Sequence, residues 1–268
     1  MPKSVQKDDP GRKIGADFAL LRLRGSELQQ RRGASGDRRD TWNTWLERNL
    51  REDFPENVRR GDTALRLLKP LNLSNPRILE IGCANGWFCA RLARLGKVTG
   101  IDLADREIAK AKILYPYVTF VCGDFLTLES PDESFDVAIS IDVIPYVDDQ
   151  RLFVDRVAGF LNPRGYLLLI CPNKFVWDRT RFERQLTGKV PVKWLYMREL
   201  KDLLRPRFAC LWSGTIIPWI GNCGMLRIVN SYRVNSTLEK IISGNNITKL
   251  KEKIGLGASL VVLAQKRH

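Results

Sequence analysis

Residues Arg77 to Arg94 read RILEIGCANGWFCARLAR. An apolar run, Ile78-Leu79-Glu80-Ile81, breaks at Gly82-Cys83-Ala84-Asn85-Gly86. It resumes with Trp87, Phe88, Ala90, Leu92 and Ala93 at helical spacing. The pattern predicts a strand, a glycine-containing turn and a helix running to about Leu95. Glycine admits backbone conformations closed to other residues and lets a ligand come close. The helix start adds free N–H groups and a positive dipole end. Such a turn suits a polar, partly anionic small molecule, and an ordinary strand-to-helix connection is the plain alternative.

Strands and helices keep alternating downstream. Strands are expected at Val98–Ile101, Val118–Val121, Phe135–Ile141 and Tyr166–Cys171. Helices are expected at about Arg106–Leu114, Asp149–Leu161 and Met197–Leu204. The apolar Tyr166–Cys171 run fits a strand buried on both faces. The alternation predicts a parallel, doubly wound α/β sheet, in which ligands bind beyond the carboxyl ends of the strands. Asp102, Asp124 and Asp142 each stand just past a strand end and should converge on one crevice. Asp102 follows the glycine turn by about 20 residues, the spacing at which a carboxylate takes ribose hydroxyls. Asp124 is placed to reach an exocyclic amine.

Upstream, Thr41–Leu50 and Asn57–Leu68 read as two short helices, the second ended by Lys69-Pro70. Residues 1–40 show no core pattern and read as a mobile basic segment. Downstream, Arg207–Leu211 and Ser259–Gln265 are expected as neighbouring strands around an insertion at 213–257. That insertion carries an apolar patch, Ile216–Ile220, and helical patterns at Thr237–Ile242 and Ile247–Ile254.

A hydrophobic content of 44% supports a sizeable core over 268 residues. No apolar run is long enough to cross a bilayer, and the polar first 15 residues show no apolar leader, so a cytoplasmic chain, peripheral at most to a membrane, is expected. The six cysteines lack C-x-x-C spacing, so no metal site is expected. The net charge is +14, and residues 174–268 carry +12 of it. Arginine matches carboxylate and phosphate in bidentate geometry. The basic run containing Lys174, Arg179, Arg181 and Arg184 therefore points to an anionic acceptor. Nucleic acid, and a membrane surface touched by Ile216–Ile220, stay open behind it. Oligomeric state is not readable.

With these motifs in place, the chain resembles the class I S-adenosylmethionine-dependent methyltransferases over residues 75–173, and more loosely at Ser259–Gln265. The first motif of that family, an acid followed by G-x-G-x-G, is matched by Glu80 through Gly86, with Ala84 at the middle glycine. Alanine there suits only ordinary backbone dihedrals. Gly100-Ile101-Asp102-Leu103, Cys122-Gly123-Asp124-Phe125 and Phe135 through Val143 resemble the next three motifs. Leu161-Asn162-Pro163-Arg164-Gly165 resembles the signature before the fifth strand.

The resemblance implies a Rossmann-like sheet of seven strands, mostly parallel with an antiparallel last strand. It implies S-adenosylmethionine as cofactor, held by Glu80, Gly82, Cys83, Ala84, Gly86, Asp102, Leu103, Asp124, Phe125 and Asp142. Residues 1–73 would form a basic segment and cap helices, and 74–268 the cofactor-binding domain with its acceptor region at about 172–257. The expected reaction is methyl transfer to an oxygen or nitrogen of a small anionic or lipid- or glycan-related metabolite. An RNA methyltransferase and a non-catalytic protein of the same fold are the alternatives. The only histidine is His268, the last residue. Acid or base help falls to Asp142, Tyr146, a tyrosine such as Tyr196, or the substrate itself, Tyr146 standing where many relatives carry a histidine.

Overall fold

The computed structural model describes residues 38–50, 52–129, 134–180, 192–220, 223–239 and 243–267. The basic segment before residue 38, Arg181, Arg184 and His268 lie outside them. Two helices come first, α1 (Arg38–Asn49) and α2 (Pro55–Leu68), the latter opened by a proline whose missing N–H costs nothing there. The alternating region follows: β1 (Arg77–Ile81), α3 (Trp87–Leu92), β2 (Lys97–Asp102), α4 (Asp105–Leu114), β3 (Thr119–Cys122), β4 (Phe135–Ile141), α5 (Gln150–Phe160) and β5 (Leu161–Pro172). The chain then runs through α6 (Lys174–Trp177), α7 (Met197–Leu204), β6 (Phe208–Ile216), α8 (Gly224–Val229), α9 (Tyr232–Glu239), α10 (Gly244–Lys253) and β7 (Ser259–Lys266).

All seven strands share one sheet, ordered β3-β2-β1-β4-β5-β7-β6. The first five run parallel, and β7 is antiparallel to both neighbours. The order reverses between β1 and β4, so the crevice opens there, beyond the ends of β1 and β4. β1 can sit at the centre because Ile78, Leu79 and Ile81 are all buried, on both faces of the sheet. At the opposite end of the strands, the Asp136 carboxylate accepts from the Arg77 N–H (2.8 Å) and the Asn162 amide (2.9 Å). That pins β1, β4 and β5 together at the edge away from the crevice.

Several boundaries differ from the sequence reading. α3 stops at Leu92, short of the expected Leu95. β6 continues to Ile216, because it pairs with β7 along its length. Within the Ile216–Ile220 patch, Ile216 and Ile217 are fully buried and Ile220 nearly so, whereas Trp219 stays exposed. β5 starts at Leu161, with residues 162–165 looped out between the pairs Phe135–Leu161 and Val137–Tyr166. Among the described residues no helix is long and apolar enough to cross a membrane.

Candidate active site

The turn after β1 is built by packing as much as by ligand approach. Gly82 has φ +79°, and a Cβ there would lie 2.2 Å from Val143 Cγ2, so only glycine lets the post-β4 segment close against the turn. Gly86 has φ +78°, and a Cβ would lie 2.5 Å from the Phe120 ring. It does not line the cavity, and its missing Cβ seats the turn on β3. Ala84 departs from expectation, because its φ is +46° and the backbone is left-handed. The residue accepts a strain of about 1 kcal/mol that glycine would avoid. What holds it is the bond from its N–H to Asp102 Oδ2, at 2.8 Å.

Asp102 ends β2 with both oxygens aligned by backbone, Oδ1 taking the Ala104 N–H at 2.8 Å. Burial raises its pKa, opposed by the N–H groups of Ala104, Ala84 and Leu103. Each oxygen keeps lone pairs for a diol. Asp124 follows β3 and closes its own turn, Oδ1 accepting from the Leu126 N–H at 3.0 Å. Phe125 borders the cavity, but its ring stacks in the core on Phe160 (4.9 Å) and Phe153 (5.6 Å), so it is a core residue first. Leu103 also lines the cavity.

Glu80 lies beneath the turn, fully enclosed. Cys89 Sγ donates to its Oε2 at 2.9 Å, and desolvation pushes its pKa up to about 8, so it is neutral at pH 7. The Cys83 and Cys89 sulfurs both press on Gly100, where a Cβ would lie 2.8 Å from each. Burial pushes the Cys89 thiol well up, and it is no nucleophile.

These residues form one end of a cavity of about 370 Å³. The other end is aromatic: Trp42 and Trp45 from α1, Phe54 before α2, Tyr146 after β4, and Trp177 and Trp194 from the segment after β5. Trp42 meets Tyr146 edge-on at 4.9 Å, and Trp177 meets Trp194 at 5.8 Å. Trp177 is fixed by its Nε1–H bond to the Ala258 carbonyl (2.9 Å), and Asn173 ties the same corner to the Gly255 and Gly257 carbonyls. Trp42 and Trp45 were legible as a helix face. Trp177, Trp194 and Phe54 were missed, because their neighbours in sequence give no period to read.

The cap is stitched down around this wall. Asn43, nearly inaccessible, bonds the Asp105 carboxylate (2.7 Å) and the Arg106 N–H (3.2 Å) at the start of α4. Arg38 donates to the Tyr146 carbonyl at 2.8 Å. The Asn85 amide bonds Glu52, and Trp219 donates to Glu56.

Asp142 and Tyr146 come together at the junction of the two ends. Asp142 has φ +57°. Its Oδ2 faces Arg60 Nε at 3.4 Å, and its Oδ1 is buried with no partner. Burial raises its pKa and the Arg60 charge opposes that. Burial and the Asp142 charge both push the Tyr146 phenol well above its ordinary value, so it stays protonated and can donate but not act as a base.

Of the basic run expected to hold an anionic acceptor, the two described residues do not line the cavity. Lys174 sits over the Tyr196 ring and near Glu199, and Arg179 stacks on Phe175 and donates to its carbonyl. Among described Lys and Arg residues, only Arg38 and Arg60 line the cavity, and both have carboxylate partners.

Comparison with known proteins agrees with this geometry. A family model described as a methyltransferase domain matches residues 79–169. A ubiquinone biosynthesis O-methyltransferase of Bartonella tribocorum is 31% identical over 141 residues, 50% of this chain and 56% of that protein. The chain spans about half the length, or less, of the curated relatives it matches. Among solved structures, the N-methyltransferase NodS of Bradyrhizobium japonicum WM9, bound to S-adenosyl-L-homocysteine, superposes with a TM-score of 0.57. It is 20% identical, covering 85% of this chain and 99% of that one. A putative methyltransferase solved with the Haloferax volcanii Trm112 activator gives 0.62 at 15% identity, covering 87% and 98%. These two show the shared fold. The matched segment carries the turn, Asp102, Asp124 and Asp142, and is similar to methyltransferase domains.

Proposed function

We propose that the chain is an S-adenosylmethionine-dependent methyltransferase acting on an oxygen or nitrogen atom of a small, largely apolar acceptor. The supporting observation is the single cavity, whose turn-and-carboxylate end is continuous with a wall of four tryptophans. Asp102 would take the ribose hydroxyls, Leu103 and Phe125 the adenine faces, and Asp124 its amine. Gly82, Cys83 and Ala84 would border the methionine portion, with neutral Glu80 beneath them. When bound, S-adenosylmethionine supplies a methyl carbon already activated by its sulfonium. The protein then has to align a nucleophile, exclude water and accept a proton.

The cap helices exclude water by closing over the cavity. The aromatic wall holds a flat or hydrocarbon acceptor by area and ring contact. Tyr146 donates a hydrogen bond to it, and Asp142 takes its proton. An oxygen acceptor is the first choice, since curated relatives are named as O-methyltransferases. Residues 1–73 would serve as basic segment and cap, and 172–257 as most of the acceptor region.

Calorimetry tests the reading. The protein should bind S-adenosylhomocysteine and not NAD. Asp102→Ala should weaken that binding at least about tenfold, the scale of a lost charge-assisted hydrogen bond. Unchanged affinity would remove the site assignment.

A further inference from the structure

Arg60 was invisible as a site residue, being one of several arginines on a cap helix. Its side chain is 10% exposed. It joins three elements: NH1 donates to Asn57 of its own helix (2.9 Å), Nε to Ser259 Oγ at the start of β7 (3.3 Å), and Nε also faces Asp142 Oδ2 (3.4 Å). Asn57 and Ser259 leave the guanidinium little freedom, so its distance to Asp142 is set by the cap and the sheet together. Asp142, for its part, has no other charge-stabilising partner. Its second oxygen is orphaned, and the groups whose fields it shares are the Tyr146 phenol and the Cys171 thiol, both neutral.

We propose that Arg60 is a positioning residue for acceptor deprotonation: it holds the Asp142 carboxylate ionised at the junction of the cofactor and acceptor ends, and so restricts the enzyme to acceptors bearing a protic O–H or N–H nucleophile. The inference rests on the methyltransferase reading above. The step balances as follows. The nucleophile X forms the X–C bond to the methyl carbon, the C–S bond breaks with its electron pair going to sulfur, and the X–H proton passes to Asp142. An uncharged Asp142 cannot take that proton. Desolvation favours the uncharged form and only Arg60 opposes it, so the pair acts as one unit. It also makes a closed cap a condition of a working base, because Arg60 is carried by α2.

The experiment is a carbon-13 NMR titration of side-chain carboxyls in the full chain, with Asp142 assigned through Asp142→Asn. Wild type, Arg60→Gln and Arg60→Lys are compared, each with and without S-adenosylhomocysteine. Arg60→Gln should raise the Asp142 midpoint by about one pH unit or more, a tenfold change in ionisation. Arg60→Lys, which restores the charge and guards against a variant that merely fails to fold, should bring most of it back. S-adenosylhomocysteine affinity should change less than about threefold across the set, a smaller effect than the tenfold expected of a direct charged contact. With labelled cofactor and cell extract, the acidic limb of the methyl-transfer profile should move up with the midpoint. An unmoved midpoint, or no rescue by lysine, overturns the proposal. So does cofactor affinity falling in step with transfer, which would make the pair a cofactor contact. Failure of wild type to bind S-adenosylhomocysteine would instead overturn the methyltransferase reading, with the titration still reporting on Arg60.

Discussion

Glu80 provides the sharpest physical prediction, because a carboxyl is enclosed beneath the cofactor turn with only a thiol donating to it. Its pKa in the fold is about 8, against 4.5 for the free side chain. The folded state therefore binds the proton more tightly than the unfolded chain. The resulting stability is fully present below pH 4.5 and is lost as pH rises through 8. Between pH 5 and pH 8 the loss is about 3.5 kcal/mol, at 1.36 kcal/mol per pH unit over most of that window. Glu80→Gln keeps the shape and an acceptor for Cys89 but cannot ionise. Urea unfolding from pH 5 to pH 9 should give a wild-type curve that falls by about 4 kcal/mol more than the variant's. Asp102 and Asp142, also raised, titrate in both proteins, so the difference isolates Glu80. Parallel curves would refute the reasoning and mean that Glu80 is ionised in the fold.

Two further outcomes follow from the site. Ala84→Gly should leave stability within about 1 kcal/mol, since relief of the left-handed strain is offset by a freer unfolded chain. Its affinity for S-adenosylhomocysteine should be at least wild type. Ala84→Val, β-branched at φ +46°, should lose binding, measured in the same calorimetry. Trp177→Ala and Trp42→Ala should reduce methyl transfer to the acceptor fraction by about tenfold or more, an aromatic wall contact being worth over 1 kcal/mol, while cofactor affinity stays near wild type. Equal loss of both would place those rings on the cofactor instead.

The sheet was legible because each strand is short, apolar and bounded by turn residues, and because Asp102, Asp124 and Asp142 mark strand ends without any knowledge of packing. The cofactor half of the site could be read for the same reason: its residues follow one another along the chain at fixed offsets. The acceptor half could not. Arg60 and the Trp177–Trp194 pair reach the cavity from two segments joined only by tertiary contacts, and nothing in local spacing says which face of α2 turns inward. Charge count alone does not give position: Lys174 and Arg179 contact Tyr196, Glu199 and Phe175, and Arg181 and Arg184 lie outside the described residues. Hydropathy could not sort Ile216–Ile220, where three isoleucines are core and Trp219 is exposed. Gly86 fits the motif, and its missing Cβ also leaves room for Phe120.

The account's central claim is that this cavity carries a methyl group from S-adenosylmethionine to a small apolar acceptor. The direct measurement is incubation of the protein with methyl-labelled S-adenosylmethionine and fractionated cell extract. The account predicts label in the low-molecular-weight, solvent-extractable fraction, lost in Asp102→Ala and Asp142→Asn. Label in RNA or protein, or none in any fraction, would contradict it.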